Sequence, residues 1–313
     1  MAQTEHPLSL VTGGAGFIGS HIVERLLGEG QRVRVLDDFS TGKRENLPDH
    51  ERLEVIEGDV GDYACVKEAM AGVGWVFHQA AIASVPKTVD DPLGSQRTNY
   101  LGTLNALEAA RQCGVKRVMF AASAAVYGDL PGLPKRETSA IRPLSPYAVD
   151  KLASEHACQV YHRLHGLGTV CLRYFNVYGP RQDPSSPYSG VISIFTDRLH
   201  KGRRPVIYGD GKQSRDFIYI ADVVEANLRA AVSDRAPGEA LNIATGRSVT
   251  LNRLLETLCG LLDRPFEADY QSERAGDIHD SAAAIDKAQD TLDWRPRFDL
   301  EQGLRGLLGF EKA

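Results

Sequence analysis

Tyr147-Ala148-Val149-Asp150-Lys151 sets a phenol and an ammonium four residues apart. On a helix that spacing puts both on one face. A cation beside a phenol favours the phenolate, which gives a proton acceptor able to work near neutral pH. The spacing is worth little by itself, because Tyr63-Ala64-Cys65-Val66-Lys67 repeats it. Position separates the two. Tyr63 opens the helical segment after the third apolar run, where its neighbours predict surface packing. Tyr147 follows Ser145-Pro146 at a helix start, downstream of a fifth run whose end carries Ser123 in Ala121-Ala122-Ser123-Ala124-Ala125-Val126-Tyr127-Gly128. Ser123, Tyr147 and Lys151 are therefore the candidate catalytic group.

A second chemistry is written in Gly14-Ala15-Gly16-Phe17-Ile18-Gly19, a G-x-G-x-x-G sequence after the apolar run Leu8 to Thr12 and before a helical segment. A turn without side chains lets backbone N–H groups and the positive end of a helix approach a pyrophosphate closely. Asp37 and Asp38 stand at the end of the next run, near the ~20-residue separation at which a carboxylate can accept from the adenosine ribose. Their charge would repel a 2′-phosphate, so NAD is expected over NADP. Gly58-Asp59-Val60 fits an adenine-ring contact, with a plain polar turn as the other reading.

The elements that must position these groups follow from periodicity. Leu8 to Thr12, Arg32 to Leu36, Leu53 to Ile56, Trp75 to His78 and Arg117 to Ala121 are short aliphatic runs, each followed by a segment able to form a helix. That βαβα order predicts an α/β fold with a doubly wound parallel sheet. Ligands then bind beyond the carboxyl ends of the strands, where Ser123 and Tyr147 both lie. Helices are predicted over Phe17 to Gly28, Pro92 to Cys113 and Pro146 to His165, with Gly28, Gly114 and Gly166 at or past their ends. A strand, Thr169 to Tyr174, follows. A turn-rich stretch from Gly179 to Pro187 then precedes a helical run, Val191 to His200, and marks entry into a smaller lobe. Leu251 to Leu262 and Ile285 to Asp293 read as helices, and Pro265 to Asp280 as strand and loop. The domains expected are a dinucleotide-binding unit over 1–175, with a return segment near 205–235, and a substrate lobe over 176–313.

Composition narrows the partners. The 36 Lys and Arg against 41 Asp and Glu leave a net charge of -5, and no basic cluster long enough to follow a phosphate backbone is present, so nucleic acid is not expected. Cys65, Cys113, Cys158, Cys171 and Cys259 are isolated, with no C-x-x-C or His-spaced pattern, which predicts reduced thiols and neither disulfides nor a metal site. No 18-residue apolar run occurs, and Met1 to Pro7 lacks the form of a signal peptide, so a cytoplasmic location without membrane contact is expected.

Several segments together carry a resemblance: Gly13-Gly14-Ala15-Gly16-Phe17-Ile18-Gly19-Ser20-His21, His78-Gln79-Ala80-Ala81, Asn99, Ser123, Tyr147 with Lys151, and Arg173-Tyr174-Phe175-Asn176-Val177-Tyr178-Gly179-Pro180-Arg181. With Gly209 to Asp222 and Arg274-Ala275-Gly276-Asp277, they resemble the extended short-chain dehydrogenases/reductases, and within them the UDP-hexose 4-epimerases. The resemblance implies a Rossmann sheet with a smaller C-terminal substrate lobe. It implies cofactor contacts from Gly13, Gly16, Phe17, Ile18, Gly19, Asp37, Asp38, Asp59, Val60, Gln79, Ala80, Ala81, Asn99, Tyr147, Lys151 and Tyr174. It also implies a mechanism in which Tyr147 removes the proton of a sugar 4-hydroxyl while C4 gives a hydride to NAD, the 4-keto sugar turns over, and the hydride returns to its other face. Lys151 would lower the Tyr147 pKa and Ser123 would bond the sugar oxygen.

Departures from the family pattern sharpen the reading. The Asp-Glu pair that follows the catalytic hydroxyl in sugar-nucleotide dehydratases, and the carboxylate of UDP-glucuronate decarboxylases, are replaced by Ala124 and Ala125. Epimerisation remains. On the substrate side the resemblance implies Asn176, Arg215 and Arg274 on the UDP moiety and Asp277 on a ribose, with Ser84, Ser123, Val191 and Tyr208 also in the site. Arg215 and Arg274 also fit ordinary surface ion pairs. A lysine that some epimerases hold near the cofactor diphosphate aligns with Ala83; Lys87 is either its substitute or a solvated charge. Ser281 aligns with a gate that is a tyrosine in epimerases confined to plain hexoses, so it leaves room for an N-acetyl group; a solvent-facing serine at a helix start is the other reading. UDP-glucuronate 4-epimerisation and a non-catalytic NAD-sensing role are the rivals. A homodimer pairing the helices Pro92 to Cys113 and Pro146 to His165 is implied by resemblance.

Overall fold

The computed structural model describes residues 7–183, 190–273 and 279–310. The N-terminal half alternates strand and helix: β1 (Leu8–Thr12), α1 (Phe17–Gly28), β2 (Val33–Asp37), β3 (Leu53–Glu57), α2 (Tyr63–Ala69) and β4 (Val73–His78). Then come α3 (Val85–Asp90), α4 (Pro92–Gln96), α5 (Gly102–Gln112), β5 (Arg117–Ser123), α6 (Pro146–His165) and β6 (Gly168–Tyr174). Seven strands form one sheet in the order β3-β2-β1-β4-β5-β6-β10, where β10 is Ala240–Ile243, and every pairing is parallel. A parallel sheet must be covered on both faces. Val66, Met70, Leu107 and Cys158 from α2, α5 and α6 cover one face, while Ile22, Leu26, Val223 and Ala230 from α1 and α8 (Ile220–Val232) cover the other. The doubly wound fold expected from the βαβ order is the one observed.

The predicted helix from Pro92 to Cys113 is helical almost throughout, but its middle, Arg97–Leu101, is a π turn between α4 and α5. Such insertions turn one residue out of register, and here Asn99, buried in the turn, points at the loop after β4. α6 begins and ends as its sequence dictates. Ser145 accepts from the Ala148 N–H at 3.2 Å, Pro146 holds the first position, and Gly166 ends the helix in the left-handed region at φ 68°.

The chain leaves the large sheet between Tyr174 and Asn176. β7 (Asn176–Tyr178) pairs with β9 (Ser214–Tyr219), which pairs antiparallel with β11 (Ser248–Thr250). β8 (Val206–Tyr208) and β12 (Asp269–Gln271) form a two-stranded sheet. Helices α7 (Val191–His200), α9 (Leu251–Leu261), α10 (Asp286–Leu292) and α11 (Leu300–Leu307) complete this part. The return to the large sheet is α8 and β10, running to Ile243, whereas the sequence reading placed it near 205–235. β8 and β9 lie outside the large sheet because strand partners are a tertiary property that an alternating apolar run does not disclose. One continuous core joins both parts, from Ile22 and Leu26 through Phe195 to Leu254 and Leu258.

Candidate active site

The strand order reverses between β1 and β4, and ligands of such sheets bind in the crevice this leaves at the carboxyl ends. A cleft of about 640 Å³ lies there. Its floor is the glycine turn. Gly13 has φ 66°, and a Cβ on it would sit 2.7 Å from the Ala80 nitrogen; a Cβ on Gly19 would sit 2.1 Å from the Gly13 oxygen. Only glycine lets the β1 and β4 loops and the start of α1 approach so closely. Gly13, Gly16, Phe17, Ile18 and Gly19 all line the cleft, and the first N–H groups of a helix lack intrahelical acceptors, so α1 offers donors to an anion there.

Asp37 and Asp38 both line the cleft but differ in role. Asp37 is buried, and its carboxylate accepts from the Ala15 N–H at 2.8 Å and the Phe39 N–H at 2.9 Å. Burial raises its pKa against the pull of those two bonds. Asp38 is exposed and accepts from both the backbone and hydroxyl of Ser40. Asp37 thus braces the glycine turn while Asp38 faces outward, and the pair leaves the adenosine end negative. Gly58 and Val60 reach the cleft wall. Asp59 does not, because its carboxylate turns to the Gly61 N–H at 2.7 Å and to Arg97 at 3.0 Å.

Gln79, Ala80, Ala81 and Tyr174 line the same cleft. Asn99 is placed behind them: it accepts from the Ile82 N–H at 2.8 Å and donates to the Ile82 carbonyl at 3.3 Å. Asn99, expected at the cofactor, is off the cleft wall and clamps the loop that lines it. His78 braces the same loop. Thr103 Oγ1 donates to the Asn99 carbonyl, so it can only accept from His78 Nε2; Nδ1 is then the acceptor for Thr12 Oγ1 at 2.7 Å. Full burial lowers the His78 pKa to about 3, which keeps it neutral.

Ser123, Tyr147 and Lys151 converge on the same cleft. β5 delivers Ser123, whose Oγ accepts from the Ala125 N–H at 3.2 Å, and α6 delivers the other two. Ser123 is the neighbour that lowers the Tyr147 pKa. Lys151 Nζ donates to the Ala121 carbonyl at 2.8 Å and lies 5.8 Å over the Tyr147 ring. Burial lowers the Lys151 pKa to about 8. The expected depression of the Tyr147 pKa by Lys151 is not found in the chain alone: burial raises it, opposed only by Ser123. The Lys151 ammonium is committed to the Ala121 carbonyl.

The substrate residues are less gathered. Asn176 donates to the Asp216 carbonyl at 2.9 Å, Arg215 to the Ser214 and His279 carbonyls at 2.9 Å, and the Ser281 N–H to the Ser214 carbonyl at 3.0 Å. These three are tied together along β9. Val191 opens α7, Tyr208 ends β8, and Ser84 caps α3. None of the six is on the wall of the cofactor cleft. Arg274 and Asp277 lie outside the described residues. Lys87 is exposed on α3, away from the cleft wall, so it is no substitute for the missing lysine at Ala83. The cleft holds two other cations, Arg181, part of the motif that carries the resemblance, and Lys43, which sequence reasoning missed. Arg181 has φ 67° and bonds Glu24 at 2.6 Å and Ser20 at 3.3 Å on α1. The turn signal Ser40-Thr41-Gly42 was there to be read: a Cβ on Gly42 would sit 2.8 Å from Asp37 Oδ1.

A family model described as the NAD dependent epimerase/dehydratase family matches residues 9–244. The chain belongs to this family. It is similar to the UDP-glucose 4-epimerase of Mycolicibacterium smegmatis, with 37% identity over 96% of this chain and 97% of that one. Among solved structures it is similar to a UDP-N-acetylglucosamine 4-epimerase from Methanobrevibacter ruminantium in complex with UDP-N-acetylmuramic acid, with TM-score 0.93 and 41% identity over 98% and 99% of the two chains. It is also similar to a UDP-glucose 4-epimerase of Thermus thermophilus in complex with NAD, with TM-score 0.88 and 40% identity over 96% and 98%. This member of the NAD dependent epimerase/dehydratase family is thus an isomerase that works with NAD. Its glycine turn, helix N-terminus and paired aspartates fit that cofactor. Among the described residues no helix is long and apolar enough to cross a membrane.

Proposed function

We propose that this enzyme interconverts the C4 epimers of a UDP-hexose or UDP-N-acetylhexosamine. The observation that carries the reading is the convergence of Ser123, Tyr147 and buried Lys151 on the same cleft as the glycine turn. Bound NAD supplies a hydride acceptor that gives the hydride back within one turnover. The chain's own residues manage the proton. Tyr147 takes it from the sugar 4-hydroxyl and later returns it; Ser123 bonds the oxygen and steadies the phenolate; Lys151 holds a positive charge over the ring. Asn99 and His78 keep the loop at Gln79 to Ile82 fixed, so the cofactor-facing wall does not yield. Ala124 and Ala125 start a short 3-10 turn and supply no carboxylate for dehydration or decarboxylation.

Ser281 supports acceptance of N-acetylated sugars, since a small side chain stands at the aligned gate. A uronic acid is less well matched. The wall residues after β7 are Arg181, Gln182 and Asp183, and the one cation among them, Arg181, is bonded to Glu24 and Ser20. An active NAD enzyme is favoured over a sensing role because Tyr147 and Lys151 are both present and line the same cleft, with Lys151 buried and Tyr147 half-buried. The exposed apolar side chains Leu93, Leu101, Val149 and Leu164 on α4 to α6, 78%, 44%, 50% and 66% accessible, support a homodimer through those helices.

Incubating the purified protein with UDP-GlcNAc, UDP-Glc or UDP-glucuronate, with no NAD added, and resolving the 4-epimers by chromatography tests this. Conversion of both neutral sugars, or chiefly of UDP-GlcNAc, is expected. Conversion of UDP-Glc alone removes the gate argument. Conversion of the uronate alone overturns the substrate assignment, and no conversion of any overturns the activity. Light scattering should give twice the chain mass, and a monomer would dispose of the dimer.

A further inference from the structure

Buried between the two elements that carry the catalytic hydroxyls is a polar cluster the mechanism above does not use. Glu155 lies on α6 one turn beyond Lys151, so Tyr147, Lys151 and Glu155 share one face. Arg173, on β6, grips it with two parallel bonds, Nε to Oε2 at 2.8 Å and Nη2 to Oε1 at 2.5 Å. The pair is nearly sealed from solvent, with side chains 4% and 1% accessible. The third guanidinium nitrogen, Nη1, donates to the Tyr127 hydroxyl at 2.8 Å, and the guanidinium carbon lies 5.0 Å from the centre of the Tyr127 ring. Tyr127 ends the 3-10 turn Ala124–Tyr127 that starts directly after Ser123. Its hydroxyl in turn donates to Asn242 Oδ1 at 2.6 Å, and Asn242 Nδ2 donates to the Lys135 and Ala284 carbonyls, the latter three residues beyond Ser281.

We infer that Arg173 is a positioning residue for the epimerase reaction, which by holding Glu155 and Tyr127 together sets the helix bearing Tyr147 and Lys151 against the turn bearing Ser123. The inference rests on the function proposed above. A buried ion pair is not needed to keep a helix on a sheet, since apolar side chains of similar volume do that as well. What the guanidinium adds is direction. Its fork fixes α6 in two dimensions through Glu155, while Nη1 holds the turn through the Tyr127 hydroxyl and also donates to the Glu137 carbonyl at 3.3 Å. Sheet register places Arg173 beside Ala122 on one side and Asn242 on the other, so the same residue sits at the centre of the strands that meet below the site. Proton transfer between Tyr147, Ser123 and a sugar hydroxyl depends steeply on separation, and a small misplacement of one partner lowers the rate strongly without weakening binding.

The test uses Tyr127→Phe, which keeps the ring and the Glu155–Arg173 pair but breaks the link to the turn, and Arg173→Lys, which keeps the charge but loses the fork. With one NAD per chain retained and KM within about twofold of the parent, kcat should fall about tenfold in Tyr127→Phe and about 100-fold in Arg173→Lys. The primary isotope effect with substrate deuterated at C4 should change in both. Where Arg173→Lys fails to fold, Tyr127→Phe carries the test by itself. Ultraviolet difference titration against the matched Tyr147→Phe proteins should show the Tyr147 pKa moving up in Tyr127→Phe, as Ser123, the neighbour that lowers it, is displaced. Lower thermal stability with unchanged kcat per bound NAD, unchanged isotope effect and unchanged Tyr147 titration would reduce Arg173 to a brace and overturn the inference. Absence of epimerisation by the parent would instead remove the proposed function, and the titration would still report on the positioning.

Discussion

Two stretches of this chain carry a tyrosine and a lysine four residues apart, and they show how little the spacing decides. In α2 the Lys67 ammonium lies 6.0 Å from the Tyr63 ring centre; in α6 the Lys151 ammonium lies 5.8 Å from that of Tyr147. The local geometry is almost the same. The surroundings are opposite. Lys67 is exposed, and the Tyr63 hydroxyl is buried without a hydrogen-bond partner. Lys151 is buried, bonded to Ala121, and its phenol meets Ser123 at the crevice where the strand order reverses. A helix face makes the pair, but only the sheet beneath it gives the pair a hydroxyl, a desolvated charge and a cleft.

That contrast can be broken by substitution. The largest effect is expected from Tyr147→Phe, which should lower kcat by about 10²–10⁴-fold while leaving NAD bound, the usual range for loss of a positioned acid or base. Steady-state rates and cofactor content after gel filtration check it; near-parental turnover would end the proposed role of Tyr147.

Lys151→Met should also remove activity, yet it should stabilise the cofactor-free chain at neutral pH. The Lys151 pKa falls from 10.5 to about 8 on folding because burial disfavours the charge. Below pH 8 the group is charged in both the folded and unfolded states, and the burial penalty is fully present. Between pH 8 and 10.5 the folded protein sheds the proton first, so stability attributable to this residue rises with pH. The variant should therefore gain up to about 3 kcal/mol at pH 7, and the gain should shrink toward pH 10. Urea denaturation at the two pH values reads both numbers; a variant less stable at pH 7 would contradict the sign.

Ser123→Ala removes the one contact that lowers the Tyr147 pKa. A loss of about tenfold in kcat is expected, with the limb on which activity rises with pH moved to higher pH. A pH–rate profile shows whether the two changes come together.

The smallest effect sharpens the comparison from the other side. Tyr63→Phe should leave kcat and KM unchanged and raise stability by about 1 kcal/mol, because it deletes a buried hydroxyl with no partner. Reduced turnover in that protein would mean the α2 pair has a role after all.

Legibility in the sequence followed the range of the interactions involved. Phe17–Gly28, Pro146–His165 and Val191–His200 end where the sequence reading ended them, since Pro146, Gly166 and the apolar spacing act locally. The glycine turn, Asp37, Asp38 and the Ser123-Tyr147-Lys151 group were legible because strand, turn and helix follow each other without a break. Lys43 was not, as it reaches the cleft from a loop whose path no periodicity reports. Asn99 was legible as a site residue but not as a clamp, because the π turn that aims it interrupts an otherwise regular helix. Glu155 stood in plain view on the Tyr147 face, yet its meaning depends on Arg173, 18 residues away on another element.

By itself the sequence determined the alternation of strand and helix, the glycine turn, the acidic end of β2 and the set of residues able to move a proton, since each rests on neighbours within a few turns of chain. Tertiary structure alone decided which tyrosine–lysine pair is desolvated, that β9 leaves the large sheet while β10 joins it, and that Arg173 links α6 to the turn after Ser123. Burial and strand partnership depend on residues far apart in the chain, and hydrogen-bond direction is fixed only once those residues have been brought together.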